Sequence, residues 1–165
     1  MPTILSLDPG KSSGIALGRF SDDQGYELID HWTILGGIHG FIQWAGHYEF
    51  LLERSDVVVC EDFKLTSSPV VPDTTPLLIK GTIEYLARDR ANGVVYQLPS
   101  QKGLLVRPGG KSTQSERFKW LKQQGFNFPG TANDDLNDAI THALVYLKRT
   151  GHRPTIEKFW PSGQR

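Results

Sequence analysis

The segment Asp56–Cys60 (Asp-Val-Val-Val-Cys) constrains the fold more than any other stretch. It is too short for a helix, and its β-branched residues favour a pleated backbone. A half-buried strand would alternate apolar and polar residues, whereas this one is apolar on both faces. Such a strand belongs in the middle of a sheet covered on both sides, as parallel strands are in α/β domains. Glu61 follows it directly, at the rim of that sheet.

The rest of the chain supplies the other layers. Thr3–Leu7 is a short apolar run closing on the turn Asp8-Pro9-Gly10, and so reads as a second buried strand. Gly14–Phe20 and Tyr26–Ile34 read as strands joined by a hairpin turn at Ser21–Gly25. Helical spacing of Ile38, Phe41, Ile42, Ala45 and Leu52 predicts a helix over 38–54. Phe63–Thr75 is a Ser/Pro/Thr-rich loop, and Pro76 opens a helix that runs towards Asn92-Gly93. Val94–Leu98 is the fifth strand. Arg107–Ser112 is a basic, Gly-rich loop. Thr113 and Glu116 have capping-box spacing for a helix over 114–124, and Asp134–Arg149 is a strongly periodic last helix. The tail 152–165 has no clear element. The expected fold is α/β: a five-stranded mixed sheet, three antiparallel strands then parallel ones, with helices on both faces. Without a linker or repeat, 1–165 reads as a single domain.

Composition narrows the function classes. The lone cysteine, Cys60, excludes an internal disulfide framework and a Cys-based zinc site. No apolar run reaches the ~18 residues of a membrane span, so no membrane association and a cytoplasmic location are expected. The net charge of zero hides a split. Residues 1–75 carry 4 basic and 11 acidic side chains, and residues 76–165 carry 14 and 7. Within 101–125 six are basic (Lys102, Arg107, Lys111, Arg117, Lys119, Lys122) against the one acid Glu116. This asymmetry fits either a polyanion-facing surface or an ordinary solvated helix face beside a basic loop.

Asp8 and Glu61 each follow a buried strand, at the rim where open α/β folds hold their chemistry. Asp135 and Asp138 are three apart on the last helix and share a face. Each acid alone has a plain reading, as turn residue, surface residue or helix cap. Four carboxylates meeting at one rim would instead repel one another unless a hard cation sat among them. Oxygen-only donors suit Mg²⁺ or Mn²⁺, and two such ions could activate water and stabilise the leaving oxygen of a phosphoryl displacement.

The segments Leu5-Ser6-Leu7-Asp8-Pro9-Gly10 with Ser13-Gly14-Ile15-Ala16, Val57-Val58-Val59-Cys60-Glu61, and Asp135-Leu136-Asn137-Asp138-Ala139 with His142-Ala143-Leu144 resemble the RuvC family of Holliday junction resolvases. That family has a ribonuclease H-like fold, and the resemblance runs from Thr3 to about Lys148. It implies a single nuclease domain over 1–165 and a homodimer that makes paired nicks in four-way DNA junctions. It also implies Mg²⁺, with Mn²⁺ as a substitute, and two ions per active site. By motif match Asp8, Glu61, Asp135 and Asp138 take the catalytic and metal-binding positions. Lys102 and Lys111 look like the basic residues that family members place near the scissile strand, and Phe63 and Lys64 lie near the position of the family's aromatic wedge. Arg107, in the same basic Gly-rich stretch, is also expected to contact DNA. The Pro-rich loop Thr66–Thr75 and the neutral charge depart from the family and fit a divergent or phage-encoded member, the latter placed in the host cytoplasm.

Other signals carry less. Gly10-Lys11-Ser12 and Gly110-Lys111-Ser112 are not P-loops, because Leu5 and Leu105 stand where the motif needs glycine. His142, four residues after Asp138, faces the same cleft; packing or support of the ligands is its expected role, since hard Mg²⁺ prefers oxygen. Two further functions stay open: a ribonuclease H-like nuclease acting on flaps, other branched DNA or RNA, and a non-catalytic junction-binding protein.

Overall fold

A computed structural model of the chain describes residues 1–63, 73–107, 109, 111–128 and 134–161. Lys64 and most of the loop 63–75 lie outside the described residues. The strands are β1 (Thr3–Asp8), β2 (Ser12–Arg19), β3 (Glu27–Leu35), β4 (Val57–Glu61) and β5 (Val95–Gln97). They form one sheet in the order β3-β2-β1-β4-β5. The first three pair antiparallel, and β4 and β5 continue parallel to β1. β4 is thus an inner strand, as its unbroken apolar run requires.

Alternation along the strands sends side chains into two separate cores. Ile4, Ala16 and Val59 point to the face covered by α3 (Gln114–Gln123), α4 (Asp134–Arg149) and α5 (Arg153–Phe159). Leu5, Leu7, Ile15, Val58 and Cys60 point to the face covered by α1 (Gly37–Arg54) and α2 (Thr75–Leu86). α4 crosses the sheet over β1 and β2 and buries Leu136, Ile140, Ala143, Leu144 and Leu147. Truncating any one of these leucines to alanine would cost about 2–5 kcal/mol.

Three boundaries differ from the sequence reading. The second helix ends at Leu86, well before Asn92. Arg90 lies beyond it and donates to the carbonyls of Leu52, Glu53, Ser55 and Asp56, holding the negative end of α1. Residues Pro99–Leu104 form a 3-10 turn directly after β5. The tail contains α5, too short to show a period in sequence. Its start is fixed by the His152 side chain, which accepts from Thr155 N–H, and Phe159 anchors it in the α3–α4 core.

Candidate active site at the strand ends

Parallel pairing of β1 and β4 brings Leu7 opposite Cys60, so Asp8 and Glu61 fall one rung further along. The same rung continues across the sheet, where Glu61 pairs with Gln97 at the end of β5. Two-residue periodicity puts Asp8 on the side of Ile4, and Glu61 on the side of Val59, which is the α4 face. Three strand ends therefore present Asp8, Glu61 and Gln97 in a row beneath α4.

α4 comes close because β2 carries glycine at the crossing. A Cβ at Gly14 would sit 2.0 Å from the Asp135 carbonyl oxygen, so no other residue fits without moving the helix. With α4 seated there, Asp138 and His142, one turn apart, both face the strand ends. Asp8, Asp138 and His142 are buried, and Glu61 is nearly so.

The 3-10 turn adds a cation to this group. Lys102 Nζ lies 2.6 Å from Glu61 Oε2, 2.8 Å from Asp138 Oδ2 and 3.9 Å from Asp8 Oδ1. Arg117, buried on α3, donates to Asp138 Oδ1 at 3.2 Å and to the Ser112 carbonyl. His142 Nε2 stands 2.9 Å from Glu61 Oε2, and its Nδ1 2.9 Å from Gln97 Oε1. Gln97 closes the group by donating from Nε2 to the His142 carbonyl.

Burial and neighbouring charge shape the ionisation of these groups. Burial, then the Glu61 charge, holds the Asp8 carboxyl well above the usual carboxylate range. For Glu61 burial also acts upwards, but contacts with His142 and Lys102 outweigh it and leave the carboxyl below its ordinary value. Desolvation opposes the charge on Lys102, yet Asp8, Asp138 and Glu61 together push its pKa up to about 12. Burial holds the His142 imidazole below its ordinary pKa. Asp135 is half-buried and raised, mainly by desolvation, against a hydrogen bond with the Ser12 side chain.

Of the sequence-selected residues, then, Asp8, Glu61 and Asp138 converge, and Asp135 stands beside them on the outer side of the cleft. Lys102 sits among the acids. Arg107 is exposed and pairs with Glu116. Lys111 is exposed, Phe63 is partly buried, and Lys64 lies outside the described residues. Sequence reasoning missed Gln97 and Arg117 as members. A lone Gln at a strand end carries no signal, and Arg117 was one of six charges in a basic run. The oxygens of Asp8 and Glu61 and a ring nitrogen of His142 lie within 4.8 Å of one another, a span that one metal ion could bridge. The two carboxylates are hard donors of the kind that Mg²⁺ and Mn²⁺ accept.

No protein-family model matches the chain, and no curated protein matches its sequence. Solved structures do match. RuvC of Thermus thermophilus superposes with a TM-score of 0.69 at 15% identity, covering 91% of this chain and 97% of RuvC. The same protein in complex with a Holliday junction substrate gives 0.70 at 15% identity, covering 92% and 98%. The fowlpox virus Holliday junction resolvase gives 0.55 at 15% identity, covering 89% and 99%. The chain has the ribonuclease H-like fold of RuvC, at 15% sequence identity.

Proposed function

We propose that this protein is a metal-dependent, structure-selective DNA endonuclease of the RuvC type, resolving four-way junctions by paired nicks. The observation that carries the reading is the convergence of Asp8, Glu61 and Asp138 at the strand ends of a RuvC fold. Three carboxylates packed this closely repel one another, and Lys102 and Arg117 bring only two positive charges to them, which supports a cation-binding role.

In this reading Asp8, Glu61, Asp135 and Asp138 are the catalytic and metal-binding set. Two divalent ions bound there, Mg²⁺ or Mn²⁺, would supply an activated water and neutralise charge at the leaving oxygen. Asp8 and Glu61, fixed on neighbouring strands, hold their carboxylates without rearrangement. Asp138 and Asp135 close the site from the first turns of α4. Lys102 brings a permanent positive charge to where a scissile phosphate would enter. Arg107, Lys111 and Phe63 are the proposed DNA contacts, together with Lys64, which lies outside the described residues.

Paired nicks need two centres, so the working unit is a homodimer. The exposed residues Leu78 and Tyr85 of α2, with Ile42 and Phe50 of α1, supply an apolar face for it. No helix among the described residues is long and apolar enough to cross a membrane. Action on DNA in the cytoplasm is part of the proposal. The deciding experiment is incubation with a synthetic four-way junction, a flap, a plain duplex and an RNA–DNA hybrid, each with Mg²⁺ or Mn²⁺. Symmetric paired incisions confined to the junction are expected. Preferential cutting of flap or hybrid would move the substrate, and no cutting of any would leave a junction-binding protein.

A further inference from the structure

Lys102 and Arg117 bring their positive charges to Asp138 from different elements, the 3-10 turn and α3. Both side chains are long and rich in rotamers, so their charged ends stay in place only if the backbone beneath each is fixed. Three successive carbonyls at the end of the turn show how it is held. Gly103 O accepts from Ser112 Oγ at 2.7 Å, Leu104 O from Lys148 Nζ at 2.9 Å, and Leu105 O from Trp160 Nε1 at 2.8 Å. The three donors are side chains from the loop before α3, from α4 and from the residue that follows α5.

Ser112 has a second contact that bears on the cleft. Its own carbonyl accepts from Arg117 Nη1 at 3.2 Å, and the same guanidinium reaches Asp138 Oδ1 through Nη2, also at 3.2 Å. Lys102 Nζ holds the other oxygen of that carboxylate, Oδ2, at 2.8 Å. Ser112 therefore lies one hydrogen bond from the turn that carries Lys102 and one from the arginine opposite it. Ser112 and Gly103 are both buried, so water competes little for the bond between them. In sequence this serine ends the Gly110-Lys111-Ser112 segment that imitates a phosphate-binding loop. In the structure its hydroxyl is turned inwards, to the protein's own backbone.

We propose that Ser112 is a positioning residue of the cleft, whose hydroxyl and carbonyl together set Lys102 and Arg117 on the two oxygens of Asp138. It acts through the two cations, on which its contacts converge. The need for serine is chemical: the hydroxyl donates to Gly103 while the backbone carbonyl stays free to accept from Arg117. Alanine keeps only the second of these contacts. Without the first, the turn and the loop before α3 can part, and each charge moves with its own backbone. The consequence for cleavage rests on the nuclease reading, in which a misplacement of about 1 Å costs on the order of 100-fold in rate. The positioning itself is a property of the free protein.

The test is NMR of the full-length protein, isotopically labelled at the lysine and arginine side-chain nitrogens. Buried, hydrogen-bonded side-chain protons exchange slowly and give signals that exposed ones lose to water. Wild type should show protected signals for Lys102 Nζ and for the buried Arg117 Nε, assigned by their loss in Lys102→Met and Arg117→Lys. Ser112→Ala should shift or lose both, and Ser112→Thr, which keeps the hydroxyl, should retain both. Trp160→Phe removes the donor to Leu105 but leaves Ser112 in place, and should disturb Lys102 alone. Thermal melts establish that each variant is folded, and Ser112→Cys, with its weak donor, replaces the alanine variant if that one does not fold. On a four-way junction with Mg²⁺, Ser112→Ala should cut roughly 10–100-fold more slowly in a single turnover, at unchanged junction affinity. The positioning would be overturned by a wild-type Lys102 without a protected signal, or by two signals indifferent to Ser112→Ala. Equal disturbance of Arg117 by Trp160→Phe would overturn it too, as would wild-type cutting by a variant whose cations have moved. Displaced cations in a protein whose wild type cuts no junction would leave the positioning standing and remove the nuclease reading.

Discussion

Lys102 Nζ lies 2.6 Å from Glu61 Oε2, so a 3-10 turn and a central strand are joined by an ion pair beneath α4. The same ammonium reaches Asp138 at 2.8 Å, and the Lys102 side chain is only 12% exposed. Removing one partner of so buried a pair leaves uncompensated charge, at a cost of about 3–5 kcal/mol.

Lys102→Met should therefore lower the melting temperature sharply, and Mn²⁺ should return part of the loss by replacing the missing charge. Binding at a hundred times Kd adds about 2.7 kcal/mol in favour of the folded state. Differential scanning calorimetry with and without Mn²⁺ measures both effects. A variant that melts like wild type, or gains no more from Mn²⁺ than wild type does, would show that Lys102 is not the counterion of these acids.

Asp8→Asn should separate stability from activity. The folded state raises the Asp8 carboxyl above its unfolded value of 3.8, and so binds that proton more tightly than the unfolded chain. Stability from this group is complete below the unfolded pKa and is lost as pH rises through the folded one. Above that pH the ionised carboxylate is a burden, and replacing it with the neutral amide should raise the melting temperature. For a chain of this size ~2–4 °C corresponds to about 1 kcal/mol. The gain should vanish below pH 4, where the wild-type carboxyl is protonated in both states. Cleavage should be abolished, as in Glu61→Gln and Asp138→Asn, with junction affinity largely retained. Wild-type cleavage by any of the three would remove that residue from the site.

The sheet and the carboxylates were legible because both follow from rules of local sequence. A strand apolar on both faces must be internal, and its period of two fixes which face its last residue shares with a neighbour. Asp8 and Glu61 could thus be placed at the strand ends from spacing, and Asp135 and Asp138 on one helix face, while their grouping as one site came from the family motif. The charges were less readable. Lys102 and Arg117 belong to a basic run that resembles a nucleic-acid surface, yet both turn inward to the acids, since sequence counts charges without showing their partners. Gln97 was invisible for the same reason: its role is defined by a histidine 45 residues away, across the helix–sheet interface. α5 was missed because seven residues are too few to display a period.

Leu78→Glu should leave the fold intact and dissociate the proposed dimer. Leu78 is 54% exposed and Tyr85 65%, on the face of α2 opposite Ile79 and Ile83. A charge at Leu78 costs the monomer nothing in its core but would be desolvated in an interface. Sedimentation equilibrium at micromolar concentration should show wild type at twice the 18.5 kDa chain mass and the variant at the chain mass. Wild type sedimenting only as a single chain would defeat the dimer.

The basic run should divide into two groups when junction affinity is measured against salt. Lys111, Lys119 and Lys122 are exposed, and Lys119 and Lys122 line an open groove with Gln114, Ser115, Phe118 and Asp134. Each of these lysines that meets a phosphate adds nearly one unit to the slope of log affinity against log salt, because one condensed counterion is released per contact. Lys111→Ala, Lys119→Ala and Lys122→Ala should each flatten the slope by up to one unit, with little effect on sequence preference. Arg117 points the other way, into Asp138 and the Ser112 carbonyl, and is buried. Arg117→Ala should leave the salt slope unchanged and lower the melting temperature instead, since it removes one of the two cations that pair with the buried Asp138 carboxylate. Arg107, tied to Glu116 on the surface, should fall between the groups: its pairing in the free protein must be exchanged for the phosphate, so the slope moves while the affinity hardly does. Unchanged slopes for all three exposed lysines would place the DNA on another face, and a flattened slope for Arg117→Ala would mean that α3 rotates this side chain outward when DNA binds.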